Sequence, residues 1–120
     1  MAISLMNMGH LEAINQIDIR TNISPWSKDN LQSSLEVGHH GLVSTKDKTI
    51  TGFIIFSPMP PECHILTIAI DTKFQRSGIG TLLLNKAIDQ SKAMKIRKIF
   101  LEVRLSNETA INFYKSFGFI

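Results

Sequence analysis

Residues 75–81, Gln75-Arg76-Ser77-Gly78-Ile79-Gly80-Thr81, place two glycines just after a guanidinium. They follow the apolar run 65–70 and open a stretch with helical periodicity. Where a chain leaves a strand and enters a helix, the first-turn N–H groups have no partner inside the helix and sit at its positive end. Glycine there removes side chains that would block a ligand from the backbone, and Arg76 adds a planar fork of charged donors. The chemistry is that of a phosphate socket. Other readings of the same residues stay open. A glycine pair at a helix start serves equally well as a plain turn. A dinucleotide site needs a third small residue three positions after Gly80, where Leu83 stands, although Glu102 falls at about the distance of a ribose-binding acid. A phosphorylating P-loop needs Gly-Lys-Ser/Thr, which this segment lacks.

Three further residues have reactive chemistry. Glu102 lies in the apolar stretch 98–103, where a carboxylate is costly unless paired, wetted or used. Burial would lift its pKa toward neutrality and suit it to act as a general base; strand alternation equally allows it to face water or Arg104. Tyr114 falls on a following helical stretch, where a lone tyrosine is more commonly a core aromatic whose hydroxyl reaches the surface. Asn107 is placed to cap that helix.

These residues need a frame, and hydrophobic periodicity supplies one. Residues 3–6 predict a short edge strand. Leu11, Ile14 and Ile17 predict a helix over 10–19, stopped by Ser24-Pro25-Trp26-Ser27. Ser27 predicts the N-cap of a second helix through about residue 35. Gly38 and Gly41 are expected to bracket a turn. Residues 42–45 and 51–57 predict a hairpin about a polar turn at 45–48, ended by Pro58, Pro60 and Pro61. Residues 64–71 alternate so little that both faces of this strand should be covered. Residues 78–94 predict the longest helix, with Ile79, Leu82, Leu83, Ala87, Ile88 and Met94 as its apolar stripe. A strand over 98–103 follows, then a helix over 107–117 capped by Ser106 or Asn107 and stopped by Gly118. Strand, helix and strand in succession make 65–70 and 99–103 parallel. The expected class is α+β: a mixed, centrally parallel sheet flanked by helices.

At 120 residues the chain fits one domain, and 43% hydrophobic content is enough to fill its core. No apolar run approaches the roughly 20 residues of a membrane span, and residues 1–8 lack the pattern of a secretory signal. The single cysteine, Cys63, excludes a disulfide within the chain and a multi-cysteine metal site; a reducing cytoplasm is the default compartment. A net charge of +3 suits a polyanionic ligand but is too small and scattered for nucleic acid. Lys92, Lys95, Arg97 and Lys98 form the densest basic cluster, read as a solvated helix end. His10, His39, His40 and His64 show no metal-ligand spacing, so no metal is expected.

The pattern Gln75-Arg76-x-Gly78-x-Gly80, leaving a strand and opening a helix, resembles the pyrophosphate loop of the GNAT superfamily of N-acetyltransferases. Glu102-Val103-Arg104-x-Ser106-Asn107, followed by Ala110-Ile111-x-x-Tyr114-x-x-x-Gly118-Phe119, resembles its RimI-type branch, as does Pro25-Trp26-Ser27. That branch acetylates the N-terminal alanine of a small-subunit ribosomal protein. The resemblance covers residues 10–120. It implies acetyl-coenzyme A as cosubstrate, with Arg76, Ser77, Gly78, Ile79, Gly80 and Thr81 on the pyrophosphate. It implies Ile68, Ala69 and Ile70 along the acetyl and pantetheine arm, a backbone N–H near Ile70 for the oxyanion, and Asn107 on the pantetheine. Glu102 would be the proton acceptor and Tyr114 the donor in direct transfer to an N-terminal peptide, with Cys63 uninvolved. Transfer to a small amine or a lysine side chain, or acyl-coenzyme A binding without turnover, are the alternative functions. The family pattern continues past Phe119 with a hairpin beside the strand of Glu102. A fragment, a partner or second copy that supplies those strands, and a shortened relative are three readings of the end at Ile120. Without the hairpin, the strand of Glu102 is an open edge suited to self-association.

Overall fold

The computed structural model describes residues 1–22, 25–103 and 107–119. Nine elements run in the order β1 (Ala2–Leu5), α1 (Leu11–Thr21), α2 (Lys28–Glu36), β2 (His40–Lys46), β3 (Thr49–Met59), β4 (Glu62–Ile70), α3 (Ile79–Ala93), β5 (Lys98–Leu101) and α4 (Glu108–Ser116), with 3-10 turns at Met8–His10 and Thr72–Phe74. The sheet order is β1-β2-β3-β4-β5. All pairs are antiparallel except β4 and β5, which are parallel, as the connection through α3 requires.

The sheet has a core on each face. Phe53 and Ile55 of β3 pack with Leu11, Ile14 and Ile17 of α1 and Leu31 of α2. Ile54 and Phe56, one residue out of step, pack on the other face with Ile79, Leu83, Leu84 and Ala87 of α3. β3 is therefore buried on both sides from Thr51 to Phe56. The weak alternation of β4 has the same origin: Ala69 joins the first core, while Cys63, Ile65, Ile68 and Ile70 join the second.

Local signals place most boundaries. Ser27 accepts from the Asn30 N–H at 3.1 Å and starts α2. Asp47 and Lys48 both take positive φ (51° and 66°), the two-residue turn whose twist matches a hairpin. Gly118 has φ 94° and stops α4. Asn107 caps α4; the alternative cap Ser106, like Ser24 and Arg104, lies outside the described residues.

Four expectations are corrected. Gly41 belongs to β2, where a side chain would come within 2.8 Å of the Met6 sulfur, so it marks a close approach and not a turn. Pro58 lies inside β3, tolerated because β2 has already ended at the His40–Phe56 pair. Leu82 is exposed and Leu84 takes its place in the core, because α3 turns a different stripe to the sheet. β5 ends at Leu101, so Glu102 and Val103 lie beyond the strand.

Gly52 faces Ser44 on β2 and Ile70 on β4. A Cβ there would sit 3.0 Å from the Ala69 carbonyl oxygen and 2.6 Å from the Ile70 Cδ1. Alanine usually improves on glycine inside a strand, but here Gly52→Ala is expected to destabilise by about 1–3 kcal/mol through overpacking, measured by urea unfolding.

Candidate active site

The site forms where two parallel strands part. β4 and β5 pair from Glu62–Lys98 to Ile65–Leu101 and no further. On the other side of β4, Ile65 faces Phe56 while Thr67 faces Ile55, so Leu66 is an extra residue, a β-bulge. The bulge comes immediately after the last β4–β5 pair. From there β4 runs on to Ile70 without β5 beside it. Ile68, Ala69 and Ile70 therefore have no partner on β5, and Glu102 follows directly on Leu101.

The chain then turns from β4 into α3 through residues 71–78. The Asp71 N–H donates to the Thr51 carbonyl at 2.8 Å and the Phe74 N–H to the Asp71 carbonyl at 2.8 Å. Gln75 Nε2 reaches back to the Ile70 carbonyl at 3.0 Å, and the Ser77 hydroxyl donates to the Phe74 carbonyl. Arg76 and Gly78 are both left-handed, with φ of 63° and 84°. Arg76, Ser77 and Gly78 are exposed, while Ile79 is buried and anchors the helix start.

The N-terminus of α3 differs electrically from its counterparts. α1, α2 and α4 carry Glu12, Asp29 and Glu108 in their first turns, where an acid complements the positive pole. α3 carries no first-turn acid and has no side-chain cap. Its first helical bond runs from the Leu82 N–H to the Gly78 carbonyl at 3.1 Å. The N–H groups of Gly78, Ile79, Gly80 and Thr81 have no acceptor among the described residues. A Cβ on Gly78 would meet nothing within 4 Å, so that flank is open. Donors, positive pole and open space fit a diphosphate group.

α4 closes the site from the second core. A Cβ on Gly80 would lie 3.4 Å from Phe113 Cζ, so the phenyl ring is seated against the helix start. Tyr114 is half-buried beside Phe113 and Phe119, with ring centroids 5.4 and 5.9 Å away. Burial pushes the Tyr114 phenol above its ordinary value of 10.0, so at neutral pH it is a proton donor. Asn107 Oδ1 accepts from the Ala110 N–H at 3.1 Å, so its carbonyl serves as the helix cap. Glu102 is exposed and follows the strand, so the expectation of a carboxylate buried inside a strand is corrected. Cys63 is buried, and burial outweighs a hydrogen bond with Ser91 to raise its thiol pKa. It has none of the character of a nucleophile.

Sequence reasoning did not single out Arg20, Asp71, Gln75 as a backbone tether, or the bulge at Leu66. Gln75 stood in the motif, but nothing in its type announced an Ile70 partner. Surface concavities of about 340 Å³ beside Trp26, Val37 and His39 and about 270 Å³ beside Pro61 and Arg97 involve none of the predicted site residues. No cluster of metal-ligating side chains occurs among the described residues, and no described helix is long and apolar enough to cross a membrane.

The model of the acetyltransferase (GNAT) family matches residues 11–119. The chain belongs to this family. It is 34% identical over 117 residues to the [ribosomal protein bS18]-alanine N-acetyltransferase of Salmonella typhimurium, spanning 98% of this chain and 79% of that protein. The Escherichia coli enzyme of the same name is 32% identical with the same coverage. Among solved structures, the Escherichia coli ribosomal-protein-S18-alanine N-acetyltransferase superposes with a TM-score of 0.92 at 31% identity, covering 98% of this chain and 76% of that one. Ard1 from Thermoplasma volcanium gives a TM-score of 0.92 at 25% identity, over 99% and 82% of the two chains. The resemblance carried by residues 75–81 and 102–119 thus extends through the whole architecture.

Left-handed backbone at Gly78 is the least replaceable feature of the loop. Gly78→Ala is expected to cost about 1–2 kcal/mol of folding stability from backbone strain alone, and Gly78→Asn less, because asparagine tolerates this conformation. Denaturant titration of both variants checks the order.

Proposed function

We propose that this chain moves the acetyl group of acetyl-coenzyme A to the N-terminal α-amine of a protein, and that the acceptor is a small-subunit ribosomal protein with an N-terminal alanine, modified in the cytoplasm. The observation that carries this reading is the donor-lined turn at residues 76–81 beside the gap between β4 and β5. The activity named for the relatives supports the choice of acceptor.

Arg76, Ser77, Gly78, Ile79, Gly80 and Thr81 hold the diphosphate of the cosubstrate. Main chain of Ile68, Ala69 and Ile70 holds its arm along the unpaired edge of β4, as a strand would be held. Asn107 lies at the start of α4, where it assists that arm. Bound acetyl-coenzyme A supplies an activated thioester carbonyl. An N-terminal amine has a pKa of about 8 and is mostly protonated at neutral pH, so a proton must leave before attack. Glu102, exposed at the mouth of the gap, accepts that proton directly or through one water. Tyr114, kept protonated by burial, donates to the leaving sulfur. A main-chain N–H near Ile70 faces the developing oxyanion.

Isothermal titration should show acetyl-coenzyme A binding, and a peptide beginning with alanine should release thiol. No affinity for acetyl-coenzyme A would overturn the proposal. Glu102→Gln should lower kcat by about 10²–10⁴-fold while coenzyme A affinity stays nearly unchanged. Turnover at the wild-type rate would remove Glu102 from the role of base.

Tyr114→Phe should lower kcat by a comparable factor. Because burial raises the Tyr114 pKa, the donor is present below that raised value and lost only as pH climbs through it. The alkaline fall in kcat assigned to Tyr114 is therefore expected above the ordinary phenol value of 10.0, read from pH–rate profiles.

A further inference from the structure

The loop at residues 71–78 has one tether that comes from across the sheet. Asp71 is the first residue after β4, and its carboxylate is largely buried, with a side-chain exposure of 13%. Arg20, in the last turn of α1, grips it with two bonds: Nε to Oδ1 at 3.3 Å and Nη2 to Oδ2 at 3.0 Å. A paired, forked contact of this kind fixes direction as well as distance. The backbone of Asp71 is used as well. Its N–H meets the Thr51 carbonyl and its carbonyl meets the Phe74 N–H. Thr51 is itself the bulged residue of β3, since Thr45 faces Ile50 while Ser44 faces Gly52. Asp71 is thus the residue at which β4 stops and the phosphate turn begins, held from β3, from the turn and from α1.

The other end of this linkage is rigid. Two residues before Arg20, Asp18 is fully buried and accepts from the Trp26 N–H at 2.7 Å and from Asn22 Nδ2. Ile14 and Ile17 fix the same helix in the core. α1 cannot follow the loop, so the loop is held to α1.

Resting on the function proposed above, we infer that Arg20 is a positioning residue for the diphosphate loop: through Asp71 it sets where the donors of residues 76–81 stand relative to the gap. Arg20 touches neither the cosubstrate nor the reacting atoms. Its loss lets the turn relax and weakens cosubstrate binding selectively.

The test compares the wild-type chain with Arg20→Met and Arg20→Lys, by steady-state kinetics and by titration with coenzyme A. Arg20→Met should raise KM for acetyl-coenzyme A and Kd for coenzyme A about tenfold, with kcat and the peptide KM changed by no more than about twofold. Arg20→Lys keeps the charge but loses the fork, so a loss of about threefold is expected; it carries the test if Arg20→Met does not fold. A purely structural role would lower kcat and active fraction together, without this split, and would overturn the inference. The double variant Arg20→Met with Asp71→Asn should bind no better than Arg20→Met. Recovery in the double variant would mean that an unpaired Asp71 charge repels the ligand, and would also overturn it. A wild type that does not bind acetyl-coenzyme A overturns this inference and the proposed function together; a binding wild type with unchanged Arg20 variants overturns this inference alone.

Discussion

A strand that loses its neighbour part-way along must find other partners for its peptide groups. β4 is in this position: β5 accompanies it through Ile65 and then departs, and the bulge at Leu66 marks the change. In a sheet interior an unpaired N–H or carbonyl is costly. The structure answers part of the demand with Gln75 on the Ile70 carbonyl. What remains is a strip of main chain at Ile68–Ile70, suited to an extended amide-bearing ligand. The gap, the turn and the placement of Glu102 all descend from this parting of two strands.

The turn that follows stores conformational cost at two residues. Arg76 and Gly78 are left-handed, and only the second is a glycine. For arginine this backbone costs on the order of 1 kcal/mol or more. Burial of Ile79, Leu83 and Leu84 of α3 against the sheet over-determines the geometry, since each such side chain contributes about 1.5–3 kcal/mol. The helix start is held by its core face, while its polar end is left without a cap or an acid. Electrostatic preparation for an anion and mechanical support come from opposite sides of the same helix.

α4 is the least buried of the four helices. None of its residues is fully buried, and it is docked through an aromatic cluster of Phe113, Tyr114, Phe117 and Phe119. The contact of Phe113 with Gly80 sets that docking against the phosphate turn. The smallness of Gly80 therefore leaves room for the Phe113 ring, against which Tyr114 packs.

The primary structure by itself determined the order and type of the elements. Alternating and threefold apolar spacing, Ser27 and Asn107 as caps, and Gly118 as a stop act within a few residues and are legible as such. It also determined the turn from strand to helix at residues 75–81, because two glycines after Arg76 are a local property of the chain. Tertiary structure alone decided the length of β5, and with it the exposure of Glu102, since a strand extends only as far as its neighbour stays in register. It decided that Leu84 rather than Leu82 faces the core, because both fit a helical stripe and only the sheet's position chooses between them. It also joined Arg20 to Asp71, 51 residues apart. An ion pair between the end of a helix and the end of a strand has no periodicity and no local motif; it exists only once α1 and the end of β4 have been brought together by packing.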